Sequence, residues 1–553
     1  MVAEKSRKNL FFMASYIMHK KMTGHLIIAL IFFTMTLGQQ YLFYYLSKLP
    51  IIWLTPGKHI AIFAFFLSAT FIAPLKVRYF FLSFILLLNY FQMAHLSYFG
   101  TQILPGKILL LFTQIHEIMG TVVVEKHHIL VPLFLTLLPA FLGYFSLKRI
   151  TSLYATKWMG ILFALYLVYN PIRTFMTGNT WGRQPSTREL GGMNVYLALS
   201  YFSGKLLPNK IINNKQNSKP NSSLELTLSD GVASEWDNVI FILGESLTPH
   251  HMSVYGYEIP TTPFLLTQKN NQNFFHTIGL SGGVSTDISV AFLMNMGFGD
   301  AGGIKAAKGE HCLFRLAKKK NFKTHFLSAQ SSQQLRYISP YLCASSLDNY
   351  KSLEVISPET LNDQAADNKV LLRELKNVLD QNDRHFIVLH QRGSHGPWEL
   401  RSNEKNRKFP HDNKVNHYNN SVVEFDLFFE ELSKLLSHLS KKTLVIYVSD
   451  HGEAMGQEGK WGHGQLIRPA FEIPFIVMSF KKNLPENVKK IPKYATHYNS
   501  TLLLMRELGF EPGHDFLALP KDYVIYGNDI DGFAGKAEIL FKPDNTYDFK
   551  VID

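Results

Sequence analysis

The first 188 residues contain 17 lysines and arginines but only three acids, Glu4, Glu117 and Glu125. The remaining 365 residues hold 39 basic and 40 acidic side chains. The formal net charge of +13 therefore belongs to one part of the chain, and that part is also the apolar one. A nucleic-acid-binding surface would show its basic patch on a folded polar domain. Basic residues scattered between long apolar runs mark membrane helices and their flanks instead. The chain must satisfy two solvents, so it divides into a membrane part and a water-exposed part.

Five stretches, roughly 25–46, 55–75, 79–99, 129–147 and 153–170, approach the ~20 residues needed to cross ~30 Å of hydrocarbon. The first follows Lys5, Arg7, Lys8, Lys20 and Lys21 with no small-residue cleavage site after it, which reads as an uncleaved helix. Lys76 and Arg78 sit in the second-to-third loop, and Lys148 and Arg149 in the fourth-to-fifth, with Lys157 beyond. The positive-inside rule puts these ends and the N-terminus in the cytoplasm, and five crossings put everything after Asn170 outside. The interrupted apolar run near 103–124, with Lys107, His116 and Glu117, is expected to be an interfacial helix. The expected organisation is a membrane domain at 1–175, a bridge at 176–235 and a catalytic domain at 236–553. Within the bridge, an amphipathic helix is expected near 187–206 and little order around 210–225, where the run N-N-K-Q-N-S-K-P-N-S-S falls.

From Asp237 on, short β-branched runs at 238–243, 323–328, 385–390, 443–449 and 473–480 alternate with helical apolar spacing at 370–379 and 421–436. This alternation predicts an α/β domain with a mainly parallel central sheet. Ligands in such sheets bind beyond the carboxyl ends of strands. Chemistry-bearing residues do collect there. Y-V-S-D-H-G-E (447–453) releases Asp450 and His451 from a strand end, and F-I-L-G-E-S (241–246) releases Glu245 after Gly244, which is expected to make the turn. G-G-V-S-T-D-I-S-V starts an apolar helix near Thr286, where helix dipole and free N–H groups favour negative charge. His395 lies in S-H-G-P and His463 in W-G-H-G.

Each motif has a plainer reading: a turn, a solvated glutamate, an N-cap, a surface histidine. Their convergence on strand ends favours a site. Glu245, Thr286, Asp450 and His451 form an O/O/O/N donor set suited to Zn²⁺ or Mn²⁺, and a metal on the threonine oxygen would make it a nucleophile. His395 and His463 would act as phosphate donors, general acid/base groups or ligands of a second metal.

Taken together, G-E-S, M-S-V-Y-G-Y…T-T-P (252–263), S-T-D-I-S-V, G-S-H-G-P, S-D-H-G-E and G-H-G resemble the membrane-bound phosphoethanolamine transferases of Gram-negative bacteria. These include the enzymes that modify lipid A and the lipopolysaccharide core and those of colistin resistance, all in the alkaline-phosphatase/sulfatase superfamily. The resemblance implies a five-helix inner-membrane domain and a periplasmic catalytic domain. It implies a zinc site at Glu245, Thr286, Asp450 and His451, with Thr286 as nucleophile and His395 and His463 on the phosphate or a second zinc. It further implies ping-pong transfer from phosphatidylethanolamine through phosphoethanolamine-Thr286 to a lipopolysaccharide acceptor, by a chain taken here as monomeric. Lipid A transferases usually carry several outer-domain disulfides. This chain has only Cys312 and Cys343, a candidate pair in an oxidising compartment. The family's basic headgroup-binding segment is A-Q-S-S-Q-Q here, so those contacts do not carry over. The acceptor, lipid A phosphate or core sugar, stays open. Rival readings are phosphoglycerol transfer to a glucan or glycolipid by the same chemistry, and an inactive lipid-binding membrane protein. A sulfatase is disfavoured because no C/S-x-P-S-R motif surrounds Thr286.

Overall fold

The computed structural model of the chain describes residues 2–47, 54–72, 75–99, 126–148, 157–177, 190–208, 226–299, 302–358, 368–528 and 535–552, with isolated positions 102, 103, 105, 107, 108 and 530. These residues fall into two compact units, one before residue 216 and one from there on.

The first unit is helical: α1 (Val2–Leu46), α2 (Pro56–Thr70), α3 (Leu75–Phe99), α4 (His127–Lys148), α5 (Lys157–Thr177) and α6 (Gly191–Tyr201). Every expected apolar stretch lies mostly in a helix. Five full crossings, however, do not follow. Among the described residues three helices are long and apolar enough to cross a membrane: Thr23–Leu46, Lys76–Phe99 and Lys157–Thr177. The 15 residues of α2 give about 22 Å at ~1.5 Å per residue, short of the hydrocarbon thickness. Pro56 opens this helix, and Pro74 follows soon after its end at Thr70. The 22 residues of α4, by contrast, are long enough to cross, and His128–Leu142 is its described apolar segment. The expected interfacial helix near 103–124 and the segment around 210–225 lie almost wholly outside the described residues.

Several polar side chains inside this unit bond across helices, as a lipid surround favours. His25 Nδ1 lies 2.9 Å from Thr70 Oγ1, and Gln39 donates to Thr136 Oγ1 at 2.7 Å. The helix expected near 187–206 exists as α6, but it is buried on nearly every side rather than amphipathic. Its two glycines explain this. A Cβ on Gly191 would stand 2.6 Å from Asn89 Oδ1, and one on Gly192 3.0 Å from the Ile85 carbonyl, so α6 approaches α3 as only glycine allows. Gln40 and Asn89 accept the first free N–H groups of α6, from Gly191 and Gly192.

The second unit is built on an eight-stranded sheet: β1 (Asn238–Gly244), β2 (Phe274–Leu280), β3 (Lys323–Ser328), β4 (Asn349–Lys351), β5 (His385–His390), β6 (Thr443–Ser449), β7 (Glu472–Phe480) and β8 (Ala495–Thr496). Their spatial order is β8-β2-β7-β6-β1-β5-β3-β4. All five expected strands are present; β2, β4 and β8 were not anticipated. The sheet is mixed rather than mainly parallel as expected: β7 runs antiparallel to both β2 and β6, while the other neighbours are parallel. The chain leaves β6 at Ser449 and re-enters as β7 at the same edge with no crossover helix, which dictates the reversed direction.

Both faces of the sheet are covered, so β1 is buried at every position and apolar from Val239 to Leu243. Val239, Phe241 and Leu243 pack into one core with α7 (Thr286–Asn295) and α10 (His497–Glu507). Ile240 and Ile242 pack into the other with α8 (Val370–Leu379) and α9 (Lys414–Ser437). In-register parallel pairing aligns the ends of four strands, with Gly244 beside Ser449, and Leu243 and Ser328 beside His390. That shared edge carries the candidate site. Cys312 and Cys343 are joined as a disulfide within this unit.

Candidate active site and metal centre

Glu245 and Asp450 each follow the last residue of a neighbouring parallel strand, so their side chains emerge together. Gly244 does not make the turn expected of it. It continues the strand, where a Cβ would stand 2.0 Å from the Tyr447 hydroxyl. The left-handed residue is Ser246, at φ 57°. Its amide donates to Asp450 Oδ1 at 3.0 Å and its hydroxyl to Glu245 Oε1 at 2.9 Å, tying the two carboxylates to one turn.

Thr286 is the first residue of α7, and Ser285 before it is extended (φ −150°, ψ 153°), which leaves the opening N–H groups of the helix free to face a ligand. Thr286 Oγ1 lies 3.2 and 3.1 Å from the two Glu245 oxygens and 3.4 Å from His451 Nε2. His451 Nε2 in turn lies 3.3 Å from Glu245 and 3.4 Å from Asp450 Oδ2. The other ring nitrogen, Nδ1, is 2.9 Å from the Gly452 carbonyl, so it carries a proton and directs Nε2 at the carboxylates.

The two sequence-predicted histidines join the same cluster. The His463 ring stands 4.5 Å from that of His451 and 5.3 Å from that of His395. A short hairpin sets this up: Ala454 pairs with Gly462, which places Glu453 and His463 side by side, 3.1 Å apart at Oε2 and Nδ1. His395 Nδ1 contacts the Gly396 carbonyl at 2.6 Å.

The electrostatics call for a cation. Burial opposes ionisation of Glu245, but the hydrogen bond and charge of His451 outweigh it and hold the carboxyl well below the usual carboxylate range. Burial and the neighbouring Glu245 charge push Asp450 up to about 7. Burial lowers His451, yet Asp450, Glu245 and Glu453 together drive it up to about 10. Two buried carboxylates thus share one imidazolium, which lies 3.3 Å from Glu245 and 3.4 Å from Asp450 Oδ2. Buried negative charge in excess of its counter-charge is costly unless a further cation meets it. Ligand atoms of Glu245, Asp450 and His451 lie within 4.8 Å of one another, as do those of His451, Glu453 and His463. The first group, with the Thr286 hydroxyl, fits a divalent metal by donor chemistry.

Four contributors went unrecognised in the sequence. Gln330, just past the end of β3, donates to Glu245 Oε2 at 3.1 Å and to the Gln391 carbonyl at 3.1 Å. His390, the last residue of β5, lies 3.3 Å from the Gln330 amide nitrogen. Both sit at strand ends, where the carboxyl-edge rule could have flagged them. Glu453 stood inside a quoted motif without a role. His497 reaches the site's scaffold from the start of α10 and left no sequence signal.

A doubly covered α/β sheet with a nucleophile-like threonine and a carboxylate/histidine cluster at its carboxyl edge defines a class, and the family comparison agrees: residues 237–505 match the family model described as Sulfatase. Among individual proteins, the chain is 28% identical over 263 residues to the Kdo(2)-lipid A phosphoethanolamine 7''-transferase of Salmonella typhimurium, covering 44% of this chain and 45% of that one. It is 26% identical over 326 residues to the phosphoethanolamine transferase EptA of Helicobacter pylori, covering 54% and 57%. The chain thus spans about half the length of the curated relatives it matches. Among solved structures, the integral membrane lipooligosaccharide phosphoethanolamine transferase A from Neisseria meningitidis aligns over 88% of this chain and 95% of its own, with TM-score 0.60 and 19% identity, a likeness of fold that includes the helical unit.

Proposed function

We propose that the chain transfers phosphoethanolamine from phosphatidylethanolamine to a lipopolysaccharide acceptor, lipid A or a core sugar, through a covalent intermediate on Thr286. The observation that carries this reading is the Thr286 hydroxyl, at a helix start and within 3.1–3.4 Å of Glu245 and His451. The curated relatives support the headgroup, since their names specify phosphoethanolamine transfer.

In the first half-reaction the Thr286 Oγ–phosphorus bond forms and the bond from phosphorus to the diacylglycerol oxygen breaks. The threonine proton leaves along the contact to Glu245. His395 or His463 gives a proton to the departing diacylglycerol oxygen. In the second half an acceptor oxygen bonds to phosphorus and gives its proton to the same histidine, while the Thr286 Oγ–phosphorus bond breaks and Oγ takes back the proton held at Glu245. The N-terminus of α7 stabilises charge on the transferring phosphoryl oxygens. A divalent cation held by Glu245, Asp450, His451 and Thr286, Zn²⁺ or the harder Mn²⁺, supplies Lewis-acid charge that favours the alkoxide. His395 and His463 hold the phosphoryl group or a second cation.

The same reading makes the chain a monomeric multi-pass protein of the bacterial inner membrane. Its N-terminus is cytoplasmic and the unit from 216 onward periplasmic, facing the outer leaflet that presents the donor. The test is lipid and lipopolysaccharide mass spectrometry of cells with and without the gene, with labelled donor in vitro. Gene-dependent phosphoethanolamine on lipid A or core, with diacylglycerol release, is the expected result. A phosphoglycerol product, or no turnover by a metal-loaded chain, overturns the reading.

A further inference from the structure

Thr286 and the Asp450–His451 pair come from different elements, and one buried side chain spans the two. His497 opens α10, where a capping box fixes its backbone: Thr496 and Asn499 exchange hydrogen bonds, and Asn499 also donates to the Phe516 and Ala518 carbonyls, both at 2.8 Å. The imidazole is fully buried. Its Nδ1 accepts from the Gly282 amide at 3.0 Å, and its Nε2 donates to the Ser449 carbonyl at 2.8 Å. One nitrogen must accept and the other must donate, so a single neutral tautomer satisfies both bonds. Burial, which pushes this histidine down to about 3, agrees with the neutral ring.

Both partners sit one step from the chemistry. Gly282 begins the loop that ends at Thr286. Its carbonyl accepts from the Tyr526 amide, the Val284 amide donates to the Tyr526 carbonyl, and the Val284 carbonyl accepts from the Gly464 amide beside His463. Ser449 contributes the carbonyl of the peptide whose N–H belongs to Asp450, and that N–H is bonded to the Gly244 carbonyl at 3.0 Å. The Ser449–Asp450 peptide is therefore gripped from both sides, by Gly244 through N–H and by His497 through C=O. Among the described residues His497 is the side chain that grips both this peptide and the nucleophile loop.

The geometry assigns His497 as a positioning residue, a neutral imidazole that sets the loop carrying Thr286 against the peptide from which Asp450 and His451 spring. The inference rests on the proposed transferase reading for its kinetic consequence. Two substitutions separate its arms in the full-length protein. His497→Asn keeps an acceptor near the Nδ1 position and loses the far donor to Ser449. His497→Gln keeps a far donor and loses the near acceptor for Gly282. His497→Phe loses both.

The assignment predicts that zinc affinity falls about tenfold in His497→Asn and stays within about twofold in His497→Gln, as for residues that orient metal ligands. With zinc saturating, kcat falls about tenfold in His497→Gln with KM unchanged, since displacement of a nucleophile costs rate rather than binding. Amide exchange at Gly282 accelerates in His497→Gln and not in His497→Asn. Equal losses in both variants, tracking only a lowered melting temperature, would overturn the assignment, as would wild-type zinc affinity, kcat and Gly282 exchange in both. If the wild-type chain transfers no phosphoethanolamine, the functional reading fails by itself. The exchange and zinc comparisons then still decide the role of His497.

Discussion

Apolar side chains sit in opposite places in the two units. From residue 216 on they fill two cores on either face of one sheet, and β1 is wholly buried. Among the described residues most of the exposed large apolar side chains lie before residue 216, Phe134 at 70% and Trp158 at 74% exposure among them, while His25, Gln39, Asn89 and Gln92 are buried. The same hydrophobic effect explains both, provided the first unit meets hydrocarbon and the second meets water. Buried polar residues therefore play different parts in the two units. In the helical unit they are neutral groups such as Gln39 and Asn89 that bond from one helix to another. At the sheet edge they are ionisable, with two buried carboxylates around one imidazole, and that charge imbalance points to a cation and to chemistry.

Substitutions at the sheet edge should give the largest effects. Thr286→Ala should lower transfer at least about 10³-fold with circular dichroism and melting unchanged, because the nucleophile itself is gone. Residual transfer near wild type would break the reading of that edge as catalytic. Glu245→Gln and Asp450→Asn should lose bound zinc and activity together, measured by elemental analysis of purified protein. Full zinc occupancy in both would refute the ligand assignment.

Much of this site was legible because residues at strand ends announce themselves. Glu245, Asp450 and His451 follow β-branched runs that read as buried strands, and Thr286 follows a glycine pair that reads as a turn, so their convergence stood out although each motif alone had a plainer reading. What was not legible depended on tertiary approach. Gly244 looked like the turn, yet its lack of a side chain makes room for Tyr447, and Ser246 turns instead. The direction of β7 depends on the chain re-entering from the edge it left, which apolar patterning does not record. The shortness of α2 was signalled by Pro56 and Pro74, but a hydropathy window averages over both. His497 was invisible because nothing in H-Y-N-S says that its ring joins two loops far apart in sequence.

The next effects are smaller and separate the units. Cys312→Ser opens a 31-residue link in the second unit and should cost about 2–4 kcal/mol, read as a lower denaturant midpoint for that unit. Phe134→Asp, on the exposed surface of α4, should disfavour membrane insertion by about 3–4 kcal/mol, read by glycosylation-tag insertion assays. Insertion unaffected by that charge would contradict a lipid surround for α4. The matching control is Val355→Ser, exposed to 58% in the second unit, which should change stability by less than about 0.5 kcal/mol.

The central claim is that the Thr286 hydroxyl becomes covalently bonded to the transferred group. Intact-protein and peptide mass spectrometry of full-length protein, loaded with zinc and quenched after mixing with phosphatidylethanolamine but no acceptor, measures this directly. A phosphoethanolamine adduct is expected on the peptide containing Thr286, absent in Thr286→Ala and discharged when acceptor is added. An unmodified Thr286 under conditions where diacylglycerol is released, or an adduct on another residue, would contradict it.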